Sequence, residues 1–562
     1  MFLHGGVSKL EKIVVTCALP YANGEVHLGH ICSTYLPADI LVRFFRLKGS
    51  EVVFVCATDD FGTPILIEAE KKGKSPEEFV AHWNQVDKKD FSDLGISFDI
   101  FYKTSSDENI KLAQHFFREL YKKGFIFKQA VWQPYCEKCK KVLPDRYVKG
   151  TCPYCGALNQ YSDSCEICGK TFQPFEVKDP HCAICGSTPI KKQSEHYFFK
   201  LSQFSSDLKK WLEDNKSLQS EVKNYVLNWI KEGLQDWDIT RDLSWGVPIP
   251  LEEAEGKVLY GWFDNHLCYI STTLKYLDEK GIDSKKFWNT STIYHFIGKD
   301  IVYHHYLFLP AMRLGEGGFA LPQFIPTRGH LQLQGQKFSK SRGWYVSLRD
   351  FLSLFPADYL RYYLTSITTY SPSDVNFDWS ELQARINNEL IANIGNFIHR
   401  TLTFIWTKRD GKVPSAKAFD ELDEEFKEKI VAIANDVGEE IEKIELSRGL
   451  KKILEFSAFC NQYFQRKQPW TGGEKAYACL YLCINAVRVL CILLEPYLPF
   501  SAEDLWKQLN LKGDIHRQRW DSASELAIKT GHAINEPKIL FRKVEDAAIE
   551  KEKEKLARLK AR

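Results

Sequence analysis

Ile13-Val14-Val15-Thr16-Cys17-Ala18-Leu19-Pro20-Tyr21-Ala22-Asn23-Gly24, followed closely by His27-Leu28-Gly29-His30, decides the fold class of this 562-residue chain. The β-branched run Ile13–Cys17 has strand length and composition, and Pro20, Asn23 and Gly24 mark a turn after it. Leu36, Ile40, Leu41, Phe44 and Phe45 then recur at helical spacing, which predicts a helix over about 31–47. A second apolar run, Val52–Cys56, ends at Thr58-Asp59-Asp60. Strand, helix and strand in that order make a βαβ unit, the building block of an α/β, doubly wound parallel sheet. Such sheets bind ligands at the carboxyl ends of their strands. His27, His30, Asp59 and Asp60 all follow strand ends, and a third candidate strand, Ile293–Ile297, runs into Gly298-Lys299-Asp300.

Outward from that unit, the chain reads as a large multidomain protein. It is 44% hydrophobic and 26% charged, a globular composition that excludes disordered and fibrous classes. Its 75 Lys+Arg nearly balance 73 Asp+Glu, so nucleic-acid contact must rest on local patches. The first residues carry no signal-peptide h-region, and no uninterrupted apolar stretch reaches the roughly 18 residues of a membrane span. A cytoplasmic protein without membrane contact is expected. From about Phe351 the apolar spacing is helical, over Leu382–Phe404, Leu422–Ile444 and Tyr477–Leu498. The closing Lys/Glu/Arg run is expected to be a solvated helix.

Eight of the 16 cysteines fall between Cys136 and Cys185, in four CxxC pairs: Cys136/Cys139, Cys152/Cys155, Cys165/Cys168 and Cys182/Cys185. Each pair offers two thiolates from one turn, and two turns supply the tetrahedral sulfur shell that Zn²⁺ accepts. Eight ligands suffice for two zinc ions. A four-thiolate shell has no open position, so both are expected to be structural. Spacing alone permits sequential or nested pairing of the knuckles.

Two short motifs complete the pattern. His27-Leu28-Gly29-His30 opens the helix after the first strand, where the helix dipole favours anions. Lys337-Phe338-Ser339-Lys340-Ser341 lies far downstream between Gly335 and Gly343. The pair resembles the two signature motifs that jointly hold ATP in class I aminoacyl-tRNA synthetases. Further matches narrow the resemblance to the methionyl-tRNA synthetase family: Ala18–Gly24, the knuckles, Thr240-Arg241-Asp242, His295–Asp300, Phe355–Tyr362 and Gln468-Pro469-Trp470. They run collinearly from about residue 12 to 545.

The resemblance implies a Rossmann-type catalytic domain split by a zinc-knuckle insertion and followed by an all-α helical-bundle domain. The expected boundaries are 1–125 and 241–350 for the two catalytic halves and 126–240 for the insertion. Residues 351–395 would meet the tRNA stem, 396–540 would bind the anticodon, and 541–562 would form the tail. It implies activation of L-methionine by ATP with Mg²⁺, then transfer to the terminal ribose of tRNA(Met). His27, Gly29, His30, Gly298, Asp300 and Lys340 would hold ATP, with His27, His30, Lys337 and Lys340 carrying the catalysis. Leu19, Tyr21, Asp59, Trp262, Tyr269, Ile301 and His305 would form the amino-acid pocket, Asp59 taking the ammonium, and Arg241 would support the activated carboxylate. Asn396, Arg400 and Trp470 would read the anticodon. The family's nested knuckle pairing sets Cys152, Cys155, Cys165 and Cys168 around one zinc and Cys136, Cys139, Cys182 and Cys185 around the other. No further strand-rich module follows the helical domain, so a monomer is expected.

Some residues depart from the family pattern. Asn265-His266 stand where Ala-Pro is common, His304 replaces an aromatic residue, Leu309 a Trp, and Asp60-Phe61-Gly62 lacks a His before the Gly. These make the pocket surroundings more polar. Asn265 and His266 are expected to hydrogen-bond each other behind the pocket wall, leaving methionine as substrate. The alternatives are a related ligase for another amino acid and a non-catalytic tRNA-binding protein.

Overall fold

The structure, a computed structural model, describes residues 11–143, 147–162, 165, 167–168, 170, 175–338 and 343–560. Its centre is a five-stranded parallel sheet of β1 (Lys12–Cys17), β2 (Glu51–Thr58), β3 (Ile100–Lys103), β4 (Thr292–Gly298) and β5 (Thr327–Arg328), in the order β5-β4-β1-β2-β3. β1 lies in the middle, with Val14 opposite both Ile293 and Val53. Ile13 to Cys17 are fully buried, as a strand covered on both faces requires. The chain moves outward on one side through β2 and β3 and returns to the other side with β4. The strand order therefore reverses between β1 and β4, where such a sheet opens a ligand crevice.

The helix after the first turn starts at Leu28, three residues before its predicted start. It passes through a π-helical segment, Ile31–Tyr35, and continues as α1 (Leu36–Lys48). The second π segment, His304–Phe308, leads into Leu309–Glu316. These two π segments each end two residues before a proline, Pro37 and Pro310 respectively, whereas a third, Ile386–Gly395, has none at that position. Proline cannot donate to the carbonyl four residues back and its ring crowds that carbonyl. The wider turn of a π segment relieves this without ending the helix.

The insertion is carried on an antiparallel ribbon, Ile126–Cys136 against Ile190–Phe199, the central pair of a four-stranded sheet, which the sequence pattern did not single out. Beyond residue 351 the chain is helical: α2 (Ala357–Ile367), α3 (Asn396–Lys408), α4 (Glu421–Glu442), α5 (Leu446–Lys467) and α6 (Glu474–Leu494). α6 is long and apolar enough to span a membrane, but 89% of its apolar window is buried in the protein. It is the core helix of the bundle. The tail helix α7 (Asp546–Lys560) departs from the solvated helix expected. Ile549 and Leu556 share one helical face and are buried, and Gln383 donates to Asp546 Oδ1 at 2.6 Å.

A buried charge network joins α1, α2 and the segment after α6. Arg361 Nη2 donates to Asp39 Oδ2 at 2.7 Å, and both side chains are fully buried. Arg361 also donates to the carbonyls of Tyr497 and Pro496 at 2.8 Å. Arg43 bridges Asp39 at 2.9 Å and Glu495 at 2.7 Å. Burial alone would raise the Asp39 pKa, but the two guanidinium groups and the Ser97 donors hold it at about 2. Truncating one partner leaves the other charges buried and undercompensated. Arg361→Met should cost about 3–5 kcal/mol in denaturation, with Asp39→Asn/Arg361→Met costing less than the sum of the single changes. Asp39's contribution, on the order of 2 kcal/mol, is complete above its unfolded pKa of about 3.9 and is lost as the pH falls through about 2.

Candidate active site

The crevice at the β1/β4 switch is a cavity of about 690 Å³. It gathers Leu19 and Tyr21 after β1, Asp59 after β2, and Gly298, Asp300 and Ile301 after β4. Tyr21 and Asp59 form a parallel bridge, Ala22 N donating to Asp59 O and Asp59 N to Pro20 O, so the two strand ends move as one.

His27 caps the helix. Its Nδ1 accepts from Gly29 N at 3.2 Å, and His30 Nδ1 accepts from His27 N at 3.3 Å. The rings stack with centroids 3.7 Å apart. An accepting Nδ1 carries no proton, so each neutral ring holds its proton on Nε2 and presents that nitrogen as a donor. Gly29 lies against the His27 ring, and a Cβ there would come within 3.0 Å of it. The turn is clamped from the far side by Leu28 N donating to Val346 O and Leu348 N to Val26 O. Val346 and Leu348 are thereby fixed to the His27 motif, and Phe338 lies 5.1 Å from the His27 ring. Lys337 lines the cavity. Lys340 lies outside the described residues.

The opposite wall is built from histidines and aromatics. His305 Nδ1 faces Ile301 O at 3.0 Å, and Nε2 lies 2.9 Å from Tyr269 Oη. A carbonyl only accepts, so Nδ1 donates and Nε2 accepts the tyrosine proton. Burial lowers the His305 pKa to about 4, which keeps the ring neutral. His305 is fully buried and holds Tyr269 from behind instead of lining the cavity. Trp262 lines it, with His304 stacked behind at 3.9 Å. His330, which the sequence pattern did not single out, lines the cavity and places Nε2 3.2 Å from Asp300 Oδ1. Arg241 also reaches it, its guanidinium 4.1 Å above the Tyr260 ring.

Asn265 and His266 do not bond to each other, contrary to expectation. Successive residues on a helix point in different directions. Asn265 instead lies beside the Asp59 carboxylate, where its amide favours the ionised form. Both ring nitrogens of His266 are buried without a partner among the described residues, and burial, then His305 and His304, drive its pKa well down. Asp59 lines the cavity and Asp264 is fully buried near it. Burial raises Asp59 to about 7 and keeps Asp264 protonated well above the usual range; neither Asp264 oxygen has a partner among the described residues.

The structure brings the knuckle sulfurs together as nested sets. Cys136, Cys139, Cys182 and Cys185 form one cluster and Cys152, Cys155, Cys165 and Cys168 the other, each with all sulfurs within 4.8 Å. The Cys136–Cys185 and Cys139–Cys182 separations are 3.4 and 3.9 Å, and Cys152–Cys168 and Cys155–Cys165 are 3.8 and 3.6 Å. Thiolates about 2.3 Å from a tetrahedral zinc lie about 3.8 Å apart, so both donor sets fit that ion.

In the helical region Asn396 Nδ2 donates to Asn461 Oδ1 at 3.1 Å, and Arg400 Nη2 lies 3.4 Å from Gln465 Oε1. The four line a separate cavity of about 550 Å³. Trp470 is 48% exposed on the turn after α5 and stands outside that lining.

The family described as tRNA synthetases class I (M) matches residues 13–402, and the anticodon binding domain of methionyl tRNA ligase matches residues 413–561. The chain belongs to the methionyl-tRNA synthetases of class I. Its activity is that of a methionine–tRNA ligase. It is 44% identical to the methionine–tRNA ligase of Methanopyrus kandleri and 45% identical to that of Methanobrevibacter smithii, covering 97% of this chain and 82% of each relative. The Pyrococcus abyssi enzyme is 43% identical over 96% of this chain and 77% of its own. A Mycobacterium tuberculosis methionyl-tRNA synthetase structure has the same fold, with a TM-score of 0.79 at 23% identity over 95% of this chain and 100% of that one.

Asp59 carries a stability cost that its environment explains. Its folded pKa lies above the unfolded value, so the penalty grows as pH rises from about 4 and is complete above about 7. Asp59→Asn should therefore stabilise the ligand-free protein at pH 8 by on the order of 2–3 kcal/mol, after screening by water in the cavity. The gain should shrink toward pH 4 in denaturation experiments.

Proposed function

We propose that methionine activation takes place in the β1/β4 cavity, with the residues assigned by resemblance acting as follows. The supporting observation is convergence: the His27 motif, Asp59, Tyr269, Gly298, Asp300 and Lys337 come from five chain segments to one cavity. The methionine carboxylate attacks the α-phosphorus of ATP, a P–O bond forms as the bond to pyrophosphate breaks, and methionyl-adenylate results. Such a step asks the protein for position and charge compensation. Asp59 would take the ammonium, and its Oδ1, without a partner among the described residues, is an acceptor suited to it. Leu19, Trp262, Tyr269 and Ile301 would enclose the thioether, with His305 fixing Tyr269. His27 and His30 would donate Nε2–H groups to the phosphates. Gly298 and Asp300 would meet the nucleoside, Asp300 steadied by His330. Lys337 and Lys340 would neutralise the departing pyrophosphate. Mg²⁺ bound with ATP would compensate phosphate charge. The terminal ribose hydroxyl of tRNA(Met) then attacks the acyl carbon and AMP leaves.

Asn396, Arg400 and the exposed Trp470 would read anticodon bases, by edge hydrogen bonds and by stacking. One preparation tests both halves of this reading. Methionine alone among the standard amino acids should drive ATP–pyrophosphate exchange. Trp470→Ala should lower kcat/KM for tRNA charging about tenfold or more and leave exchange near the wild-type rate. Exchange with a different amino acid would overturn the pocket assignment, and equal losses in both steps would overturn the anticodon assignment.

Zinc in both nested cysteine sets would close four-thiolate shells and hold the insertion. Metal analysis should find about two zinc ions per colourless chain, with Cys152→Ser and Cys136→Ser each losing about one. Visible absorbance from an iron–sulfur cluster would refute the assignment.

A further inference from the structure

His196 is 1% exposed on the ribbon strand Ile190–Phe199, yet it faces two carboxylates. Its Nδ1 lies 2.7 Å from Asp238 Oδ2 and its Nε2 3.1 Å from Asp242 Oδ2. Carboxylate oxygens accept, so both ring nitrogens donate and the imidazole is held as a cation. Burial opposes that charge, and the two carboxylates outweigh it, raising the His196 pKa above its ordinary value. Beside it, Ser194 Oγ donates to Asp242 Oδ2 at 2.8 Å and Lys257 pairs with Asp242 Oδ1. Lys128 and Glu195 pair with each other across the ribbon strands, on the opposite face from His196. The two aspartates that His196 engages flank Arg241, which lines the active-site cavity. Arg241 Nη1 donates to Thr240 O at 2.7 Å and lies 3.5 Å from Asp238 Oδ2, the same oxygen that His196 holds.

We propose that His196 is a positioning residue for methionine activation: from the strand that carries the insertion, its imidazolium holds Asp238 and Asp242 on either side of Arg241 and so leaves that guanidinium to the cavity. The inference rests on the assignment of Arg241 to the activated carboxylate. A neutral imidazole has one N–H and can satisfy only one of the two aspartates. On losing its proton His196 turns a lone pair toward the other, and Asp238 has a second cation, Arg241, within reach. An ion pair closed between Asp238 and Arg241 would draw the guanidinium away from the reacting carboxylate.

The test is methionine-dependent ATP–pyrophosphate exchange by the full chain from pH 6 to pH 8.5. His196→Gln should lower kcat about tenfold near pH 6.5, with the methionine KM moving less. The deficit should narrow as the pH rises, because wild type then loses the same cation. His196→Gln/Asp238→Asn should recover several-fold over His196→Gln, since the carboxylate that captures Arg241 is gone. A kcat within twofold of wild type, a deficit constant across the pH range, or a double variant no better than His196→Gln each overturns the role; the last two would mean packing alone. Asp238→Asn by itself carries the test if His196→Gln does not fold. It should flatten the decline that wild type shows toward pH 8.5, and a decline of the same size would overturn the proposal. Arg241→Gln separates the two layers. If it leaves exchange unchanged, the assignment of Arg241 fails; if it lowers exchange while His196→Gln does not, only the role of His196 fails.

Discussion

The fully buried pair of Asp39 and Arg361 is the contact on which the rest of the molecule hangs. Asp39 sits on the same continuous helix whose first turn holds His27 and His30, and Arg361 sits on the helix that leads toward the bundle. Arg43 extends the pair to Glu495, directly after α6, and both guanidinium groups reach carbonyls in neighbouring loops. Apolar packing surrounds these groups in one core shared by sheet and bundle. Apolar contact is non-directional and tolerates sliding. A desolvated carboxylate held by two guanidinium groups does not, because each lost hydrogen bond leaves a buried charge unsatisfied. The network therefore fixes the angle between the helix that presents the histidines and the bundle that presents Asn396 and Arg400.

The cavity itself has the opposite electrostatics. Asp59 lines it, Asp60 and Asp264 are fully buried close to that carboxylate, and burial raises all three. Across the wall, Arg313 is fully buried without a carboxylate partner among the described residues, and burial lowers its pKa to about 9. It donates to His295 Nε2 at 3.1 Å, and His295 Nδ1 in turn lies 2.6 Å from Thr16 on β1. Buried groups of both signs are kept near the cavity without direct pairing to each other. That arrangement costs stability that the well-paired network at Asp39 can sustain, a division expected where a site must stay poised for a ligand's own charges.

Local patterns made part of this legible. β1, β2, the turn after β1 and the CxxC pairs each depend on contiguous residues, and spacing alone revealed them. The wider assignment of pocket residues came from resemblance across the whole chain. What escaped were contacts between distant segments: the ribbon pairing of Ile126 with Phe199, His330 against Asp300, and α5, whose Asn461 and Gln465 face Asn396 and Arg400. Asn265 shows why. Its neighbour in sequence offered the simplest partner, yet helix geometry turned the two side chains apart and tertiary packing set Asn265 beside Asp59 on the cavity wall. The buried face of α7 was hidden by its charge density, since Ile549 and Leu556 are sparse among lysines and glutamates.

The insertion shows how little apolar material a segment can fold around. Among the described residues its own buried core has eight members, and four of them are cysteines: Cys136, Cys152, Cys165 and Cys182. Leu143, Tyr147, Val148 and Val177 cannot by themselves offset the ordering of some sixty residues at about 1–2 kcal/mol each. Metal held by the two cysteine sets would supply what the core lacks, since metal binding free energy becomes folding free energy where no site exists in the unfolded chain. Nesting matters to this end. The outer set closes the base of the insertion where the ribbon strands meet it, at Cys136 and Cys182/Cys185, and the inner set closes the loop between them. Sequential pairing would tie two separate hairpins and leave their junction open. With metal bound, the nested sets would cross-link the segment from its base outward, so that the ribbon, anchored by Ile126 and Phe199 in the core below, would carry one body.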